Sequence, residues 1–148
     1  MVIRRQRARR RAATLVEFAF VAVVFLMLLF GLFEYARLVM IRQVLDNAAR
    51  EGARFAVVHT HDKTTADVIA QVQTYLAGQD AQLQNVQILV YRAHPTTGAN
   101  IGLWTDAGFG QCIAVQITAQ FRPILPAFLR MQDPFPLLAR SMMYSEAN

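Results

Sequence analysis

The sequence predicts an α+β protein: a long amino-terminal transmembrane α-helix extends into a small head, where one further helix lies on a three-stranded antiparallel sheet. Three observations carry this expectation. Residues 18–33 are an unbroken apolar run closed by Glu17 on one side and Glu34 on the other. Apolar residues then recur at three- and four-residue steps to about Val58, the spacing of one helix face. Beyond Gly78 the repeat shortens to two, the period of a strand.

The apolar run is the first element. Its sixteen residues rise about 1.5 Å each, about 24 Å in all, and counting from Ala12 to Ala36 lengthens the rod to about 37 Å. A hydrocarbon core is about 30 Å thick, so the longer span crosses it with Glu17 and Glu34 near the two interfaces. The core helix of a soluble protein keeps a polar stripe, whereas this run is apolar all round. Ahead of it, six of the first eleven residues are arginine (4, 5, 7, 9, 10 and 11). Basic residues stay on the cytoplasmic side during insertion, which puts the amino terminus inside and everything after the helix outside. Arginine-rich arms also bind nucleic acid, but beside a membrane helix the orienting role is the better reading. Charge supports that choice. Without those six arginines, nine basic residues face ten acidic ones, so the net +5 belongs to the tail and no nucleic-acid partner is expected. A cleaved secretory signal is the weaker alternative. Phe33-Glu34-Tyr35 stands where a small-x-small cleavage site belongs, and the arginine pairs lack the residues that follow a twin-arginine signal.

The helix is expected to run on past the membrane surface. Leu38, Ile41, Leu45, Ala48, Gly52 and Phe55 continue one apolar stripe, while Arg42, Asp46 and Arg50, and Glu34 with Arg37, mark an exposed charged face. Ala48 with Gly52, and Ala49 with Ala53, are small-xxx-small pairs that let another backbone approach. That backbone belongs either to the protein's own head or, slightly less favoured, to another subunit. His59, His61 and Asp62 end the helix; with His94 as the only other histidine, they fall short of a metal shell. A second helix is predicted from the capping box of Thr64 and Asp67 to a stop at Gly78, with Val68, Val72, Tyr75 and Leu76 buried.

Strands are expected over 86–91, with residues 86, 88 and 90 on one face, and over 112–121, with Ile113, Val115, Ile117, Ala119 and Phe121 turned inward. The turn-rich stretch 93–110 between them reads as a loop carrying Trp104 and Phe109, which either tuck under it as a satellite core or present an apolar partner surface. Prolines 123, 126, 134 and 136 then break the chain around one helical turn at 127–131, and residues 137–145 close the sheet as a third strand. The head is near the lower size limit for independent stability, so packing on the long helix should matter. Cys112 is the only cysteine, which rules out an internal disulfide, and it lies mid-strand among apolar neighbours. Nothing resembles a nucleophile elbow, a phosphate loop or a metal shell, so no catalytic residue, metal or cofactor is expected. The residues point to a structural or interaction protein.

Three segments then carry a resemblance: Arg10-Arg11-Ala12-Ala13-Thr14-Leu15-Val16-Glu17-Phe18-Ala19; Gly31-Leu32-Phe33-Glu34-Tyr35-Ala36-Arg37-Leu38; and Asn47-Ala48-Ala49-Arg50-Glu51-Gly52-Ala53-Arg54-Phe55-Ala56-Val57. They resemble the TadE-like family of minor pilins (pseudopilins) of tight-adherence, Flp-type pili, a branch of the type IV pilus systems. The resemblance covers about residues 10–58, and the head is similar in layout only. It implies a non-enzymatic subunit of a bacterial inner (cytoplasmic) membrane, single-pass, with the head extracytoplasmic. Its implied partners are a prepilin peptidase, other pilins and pilus platform proteins. The family pattern has a small residue, usually glycine, before the peptidase cut and glutamate fifth after it. This places the cut between Ala12 and Ala13, with Ala12 in the glycine position, and makes Glu17 the assembly carboxylate. The chain then divides into a cytoplasmic leader (1–12), the transmembrane helix (13–36), its extracytoplasmic extension (37–58) and the head (59–148). The competing expectation is a permanently anchored extracytoplasmic binding protein that uses the loop of Trp104 and Phe109.

Overall fold

The computed structural model describes residues 2–79, 82–124 and 134–146, with side chains from Thr14 onward. In chain order the elements are α1 (Val2–Val58), α2 (Thr65–Leu76), β1 (Leu83–Ala93), β2 (Asn100–Gly102), a 3-10 turn (Trp104–Asp106), β3 (Cys112–Phe121) and β4 (Phe135–Tyr144). The chain divides into two compact units, residues 1–36 and residues 37–148. The predicted single turn at 127–131 lies outside the described residues.

In the first unit every large apolar side chain identified as exposed between Leu15 and Phe33 is open on its own face of the helix, Phe18, Phe20 and Phe33 among them. Over this run the exposure continues around the helix, as the all-round apolar sequence requires, whereas Glu34, expected on an exposed charged face, is buried at 4 % exposure.

The second unit is an α+β head. Its sheet has four strands in the order β2-β1-β3-β4, all antiparallel, where the sequence led us to expect three. The added strand is the three-residue β2, which pairs with the end of β1 through Arg92–Gly102 and Ala93–Asn100. Asn-Ile-Gly is too short to show a period of two, so backbone pairing alone reveals it. β3 is central, and its alternation is as expected: Ile113, Val115, Ile117, Ala119 and Phe121 are buried on one face. The opposite face of its first half is covered too, where Cys112 and Ala114 form a small cluster with Tyr91 and Ala93. In β1 the expected face is interrupted. The register shifts between Gln84 and Gln87 around Asn85, whose φ is 51°, so Val86 stays exposed while Ile88 and Val90 pack on the core. A bulge of this kind re-aims the side chains beside it. β4 is an edge strand, which is where Pro136 is tolerated, because its missing N–H interrupts no ladder on the open side.

One apolar cluster joins the second half of α1 to α2 and the sheet. Ile41, Leu45, Ala48, Ala49, Ala53, Ala56 and Val57 of α1 meet Val68, Val72 and Leu76 of α2 and the inner residues of β3 and β4. α2 carries both bonds of its capping box: Thr64 N–H donates to Asp67 Oδ2 at 2.8 Å, and Asp67 N–H donates to Thr64 Oγ1 at 3.4 Å. Gly78, at φ +88°, takes a backbone conformation that side chains resist and ends α2. Tyr75 departs from expectation, since it is 44 % exposed and the buried stripe is Val68, Val72 and Leu76. A period of four suffices for a twelve-residue helix that touches the core along a narrow line.

The two ends of the head are tied in different ways. At one end Arg37 turns inward instead of joining an exposed charged face. Its Nε donates to Gln82 Oε1 at 2.9 Å, its Nη2 donates to the Arg122 carbonyl at 3.1 Å, and its guanidinium lies 4.8 Å from the Phe121 ring centre. At the other end, buried Thr60 donates to the Ala56 carbonyl at 3.1 Å and meets the Ser145 hydroxyl at 3.3 Å. The Ser145 and Glu146 amides close on Gln111 and Val57 carbonyls.

Candidate functional site

The residues singled out by sequence fall into two groups, one along α1 and one in the 103–110 loop. Ala12 and Ala13 lie within the helical backbone of α1, with their side chains outside the described residues. Glu17 is exposed at the start of the apolar run. The helix Thr14–Val58 is long and apolar enough to cross a membrane, and none of its most apolar window is buried within the protein. A soluble core helix would be mostly covered, so the exposed faces call for a non-aqueous surrounding.

Ala48 and Ala53 are fully buried in the head cluster. Gly52 is the point at which three elements converge: a Cβ there would collide with Cγ2 of Val72 on α2 and come within 3.3 Å of Cγ1 of Val115 on β3. The surface at these small residues is thus taken up by the chain's own head, and the backbone that approaches α1 here is internal.

The loop pair separates. Trp104 is buried in the main cluster, and its indole Nε1 donates to Thr65 Oγ1 at 2.8 Å, which ties the 3-10 turn to the first residue of α2. Phe109 is 74 % exposed, and Leu103 of the same loop is 67 % exposed. The one tryptophan is therefore an internal anchor, and the exposed apolar side chains of this loop are Leu103 and Phe109. Nothing in a single sequence separates the two roles, because both aromatics sit among glycines and polar residues.

The histidines do not gather. His59 Nδ1 lies 2.9 Å from Asp62 Oδ2, and this hydrogen bond, ahead of the nearby charge, holds the Asp62 carboxyl below its usual range. His94 bonds instead with the Thr96 hydroxyl at 3.0 Å. Among the described residues, no three of His, Cys, Asp and Glu are grouped so as to hold a metal ion. The Cys112 thiol is buried, and desolvation pushes its pKa up, away from nucleophilic reactivity.

Among the described residues, the clefts on the head include the following three. One of about 730 Å³ lies beside the β1 bulge, lined by Asn85, Gln87, Thr118, Gln120, Pro136 and Leu138, without a titratable side chain. A second, of about 400 Å³, is bordered by Arg92, Ile101, Gln111, Cys112 and Tyr144. Arg92 spends its Nη atoms on the Asp106 and Ile101 carbonyls and on the Gln111 side chain, so it braces β2 and the 3-10 turn. The third, of about 260 Å³, sits between Glu51, Arg54, His59 and Gln71. None of the three pairs a base with a nucleophile, the minimum that covalent chemistry needs.

Two structural groups escaped the sequence reading. The Arg37 clamp and the Thr60–Ser145 contact each join residues 85 apart, and neither has a local pattern. One comparison agrees with the family resemblance carried by α1. A family model described as TadE-like protein matches residues 12–54, the stretch that holds Ala12, Ala13, Glu17, Ala48, Gly52 and Ala53. No curated protein and no solved structure matches the chain.

Proposed function

We propose that this chain, whose residues 12–54 carry the TadE-like signature, is a non-enzymatic minor pilin (pseudopilin) that helps assemble, prime or tip a tight-adherence pilus. The observation that carries the reading is the coincidence of that match with a helix exposed on all its apolar faces and headed by Glu17. Such a helix has two apolar environments open to it, a bilayer and a bundle of like helices, and a pilin uses both in turn.

The mechanism follows from charge. Six guanidiniums at residues 4–11 hold the amino terminus on the cytoplasmic side and leave the head outside. The same six charges cannot enter the apolar core of a filament without a large desolvation cost. Removal of residues 1–12 by a prepilin peptidase, between Ala12 and Ala13, takes them away and creates a new α-amino group. That amine lies four residues before Glu17, about 6 Å along the helix axis. When helices stagger in a low-dielectric bundle, one subunit's amine meets a neighbour's Glu17, and an out-of-register neighbour leaves both charges unpaired. Glu17 then sets register, while the head, closed on its own core, contributes surface.

Intact-mass measurement of the protein from native membranes tests this. The expected species begins at Ala13. Quantitative retention of residues 1–12 alongside the cognate peptidase would overturn it in favour of a permanently anchored extracytoplasmic binding protein. The exposed Leu103 and Phe109 favour that second reading, since they offer an apolar contact without any filament.

A further inference from the structure

The sheet of the head has two edges, and the fold protects only one of them. β2 ends the sheet with three residues, Asn100–Gly102, too short to seat another strand. β4 ends it with ten, Phe135–Tyr144, in unbroken register with β3. The bonds just beyond its last residue show which backbone groups face outward. Ser145 N–H donates to the Gln111 carbonyl at 2.8 Å, and the Ser145 carbonyl accepts from Gly110 N–H at 2.9 Å. Both groups of Ser145 thus point toward β3. Backbone groups alternate sides along a strand, so Leu138, Arg140, Met142 and Tyr144 turn theirs to the open edge. No further strand lies there among the described residues. Leu138 is 59 % exposed and Tyr144 62 % exposed. Arg140 is the one charge on this strand, and it does not guard the edge. Its Nη1 donates to the Gly98 carbonyl at 3.2 Å, which draws the side chain back over β3.

We propose that β4 pairs antiparallel with β4 of a second copy of this chain, in a two-fold register centred on Ser141. An open edge of this length is a template for strand addition, and the sequence of β4 complements itself in that register. Leu138 faces Tyr144 of the second copy and Arg140 faces its Met142, so the outward residues exchange about eight hydrogen bonds, two for each facing pair. The two most exposed apolar side chains of the strand then cover each other. Neighbouring registers are worse. Centred on Arg140, two guanidiniums stand directly opposite, which is destabilising. Centred on Ala139, Met142 falls opposite Pro136, which has no N–H to give. Centred on Met142, Leu138 falls opposite Glu146, whose N–H already goes to the Val57 carbonyl. The contact is isologous, each copy offering the same strand. It uses the head alone and stands or falls independently of the leader cut, of Glu17 and of pilus assembly.

Disulfide trapping of the full-length chain in detergent tests this, with Ser141→Cys on the two-fold axis and Thr96→Cys, exposed on the same head, as the collision control. Residue 141 faces itself at the Cα spacing of about 4.5 Å of a pair without mutual hydrogen bonds, within disulfide reach. Cys112 is buried and common to both variants. Ser141→Cys should dimerise about tenfold faster than Thr96→Cys under mild oxidation, because only facing cysteines close without backbone movement. Adding Met142→Pro removes an outward N–H and no bond to β3, and should return the rate to that of the control. Leu138→Glu with Tyr144→Glu should do the same through like charges, whereas Leu138→Lys with Tyr144→Glu should restore fast trapping. This charge pair decides the matter even where the proline variant fails to fold. Equal rates at 141 and 96, or fast trapping that survives Met142→Pro in a folded head, overturns the pairing. Fast trapping with both glutamates, or slow trapping with the Lys–Glu pair, overturns the register. Trapping of residue 141 in native membranes to a different protein, with none to a second copy, overturns self-pairing in favour of another strand donor.

Discussion

Two stretches of the same helix, residues 14–33 and residues 37–58, differ in how they treat their apolar side chains. The first leaves them exposed around the whole circumference. The second confines burial to a stripe of small and branched residues, Ile41, Leu45, Ala48, Ala49, Gly52, Ala53, Ala56 and Val57, and turns Arg42, Asn47, Arg50 and Arg54 outward. The difference teaches that helicity is common to both but partner choice is not. A circumferential apolar surface suits any apolar surrounding, so its neighbours can change. A narrow stripe of small residues fits one surface, here α2 and β3, and cannot exchange it without opening the head.

Substitutions in each stretch should therefore have separable readouts, the widest separation coming from Glu17→Leu. Piliation and crosslinking to partner pilins should fall by an order of magnitude or more by pilus count, roughly the effect of leaving a desolvated α-amino charge without its partner. Insertion, abundance and the thermal unfolding of the head should stay unchanged. Normal pilus number in that strain would return Glu17 to a mere boundary of the apolar run.

Trp104→Ala reverses the pattern. It removes the largest fully buried side chain and the bond to Thr65, and should destabilise the head by about 3–5 kcal/mol in a denaturant melt. Membrane extraction behaviour should not change. Phe109→Ser in the same loop provides the contrast, because its exposed ring should cost the head less than about 0.5 kcal/mol.

Gly52→Val tests the seam within the second stretch. The added branches meet Val72 and Val115, both fully buried and stiff at χ1, so a loss of about 1–3 kcal/mol in head stability is expected despite the better helix propensity of the new residue. A neutral or stabilising result would mean that α2 moves freely over α1 and that the stripe does not select its neighbour.

The smallest effect belongs to Thr64→Ala, which deletes the capping box of α2 and should cost about 1 kcal/mol. It carries a pH signature. Hydrogen bonds from the Thr64 backbone and side chain hold the folded Asp67 carboxyl below its ordinary value of 3.8, so the unfolded chain binds its proton first as pH falls. That part of the cap's contribution is complete above the unfolded pKa and is lost on acidification through the depressed folded one. The gap between wild type and Thr64→Ala in thermal melts should thus narrow in acid and stay constant near neutrality.

Sequence by itself determined whatever depends on neighbours close along the chain. The apolar run, the stripe of α1, the capping box at Thr64 and Asp67, and the alternation of β3 all follow from periods and caps that operate within a few residues. The TadE-like segment was legible for the same reason, since its signature is contiguous over residues 12–54. Tertiary structure alone decided the rest. It selected Trp104 for burial and Phe109 for exposure, because only the position of Thr65 on α2 offers the indole a partner. It turned Arg37 from a surface charge into a clamp on Arg122 and Phe121, and it joined Thr60 to Ser145. It added β2, whose three residues acquire strand geometry only from pairing with β1. The physical reason is one of range: hydrophobic period and capping act over one or two turns, whereas which side of a loop is covered depends on surfaces brought together from residues dozens of positions apart.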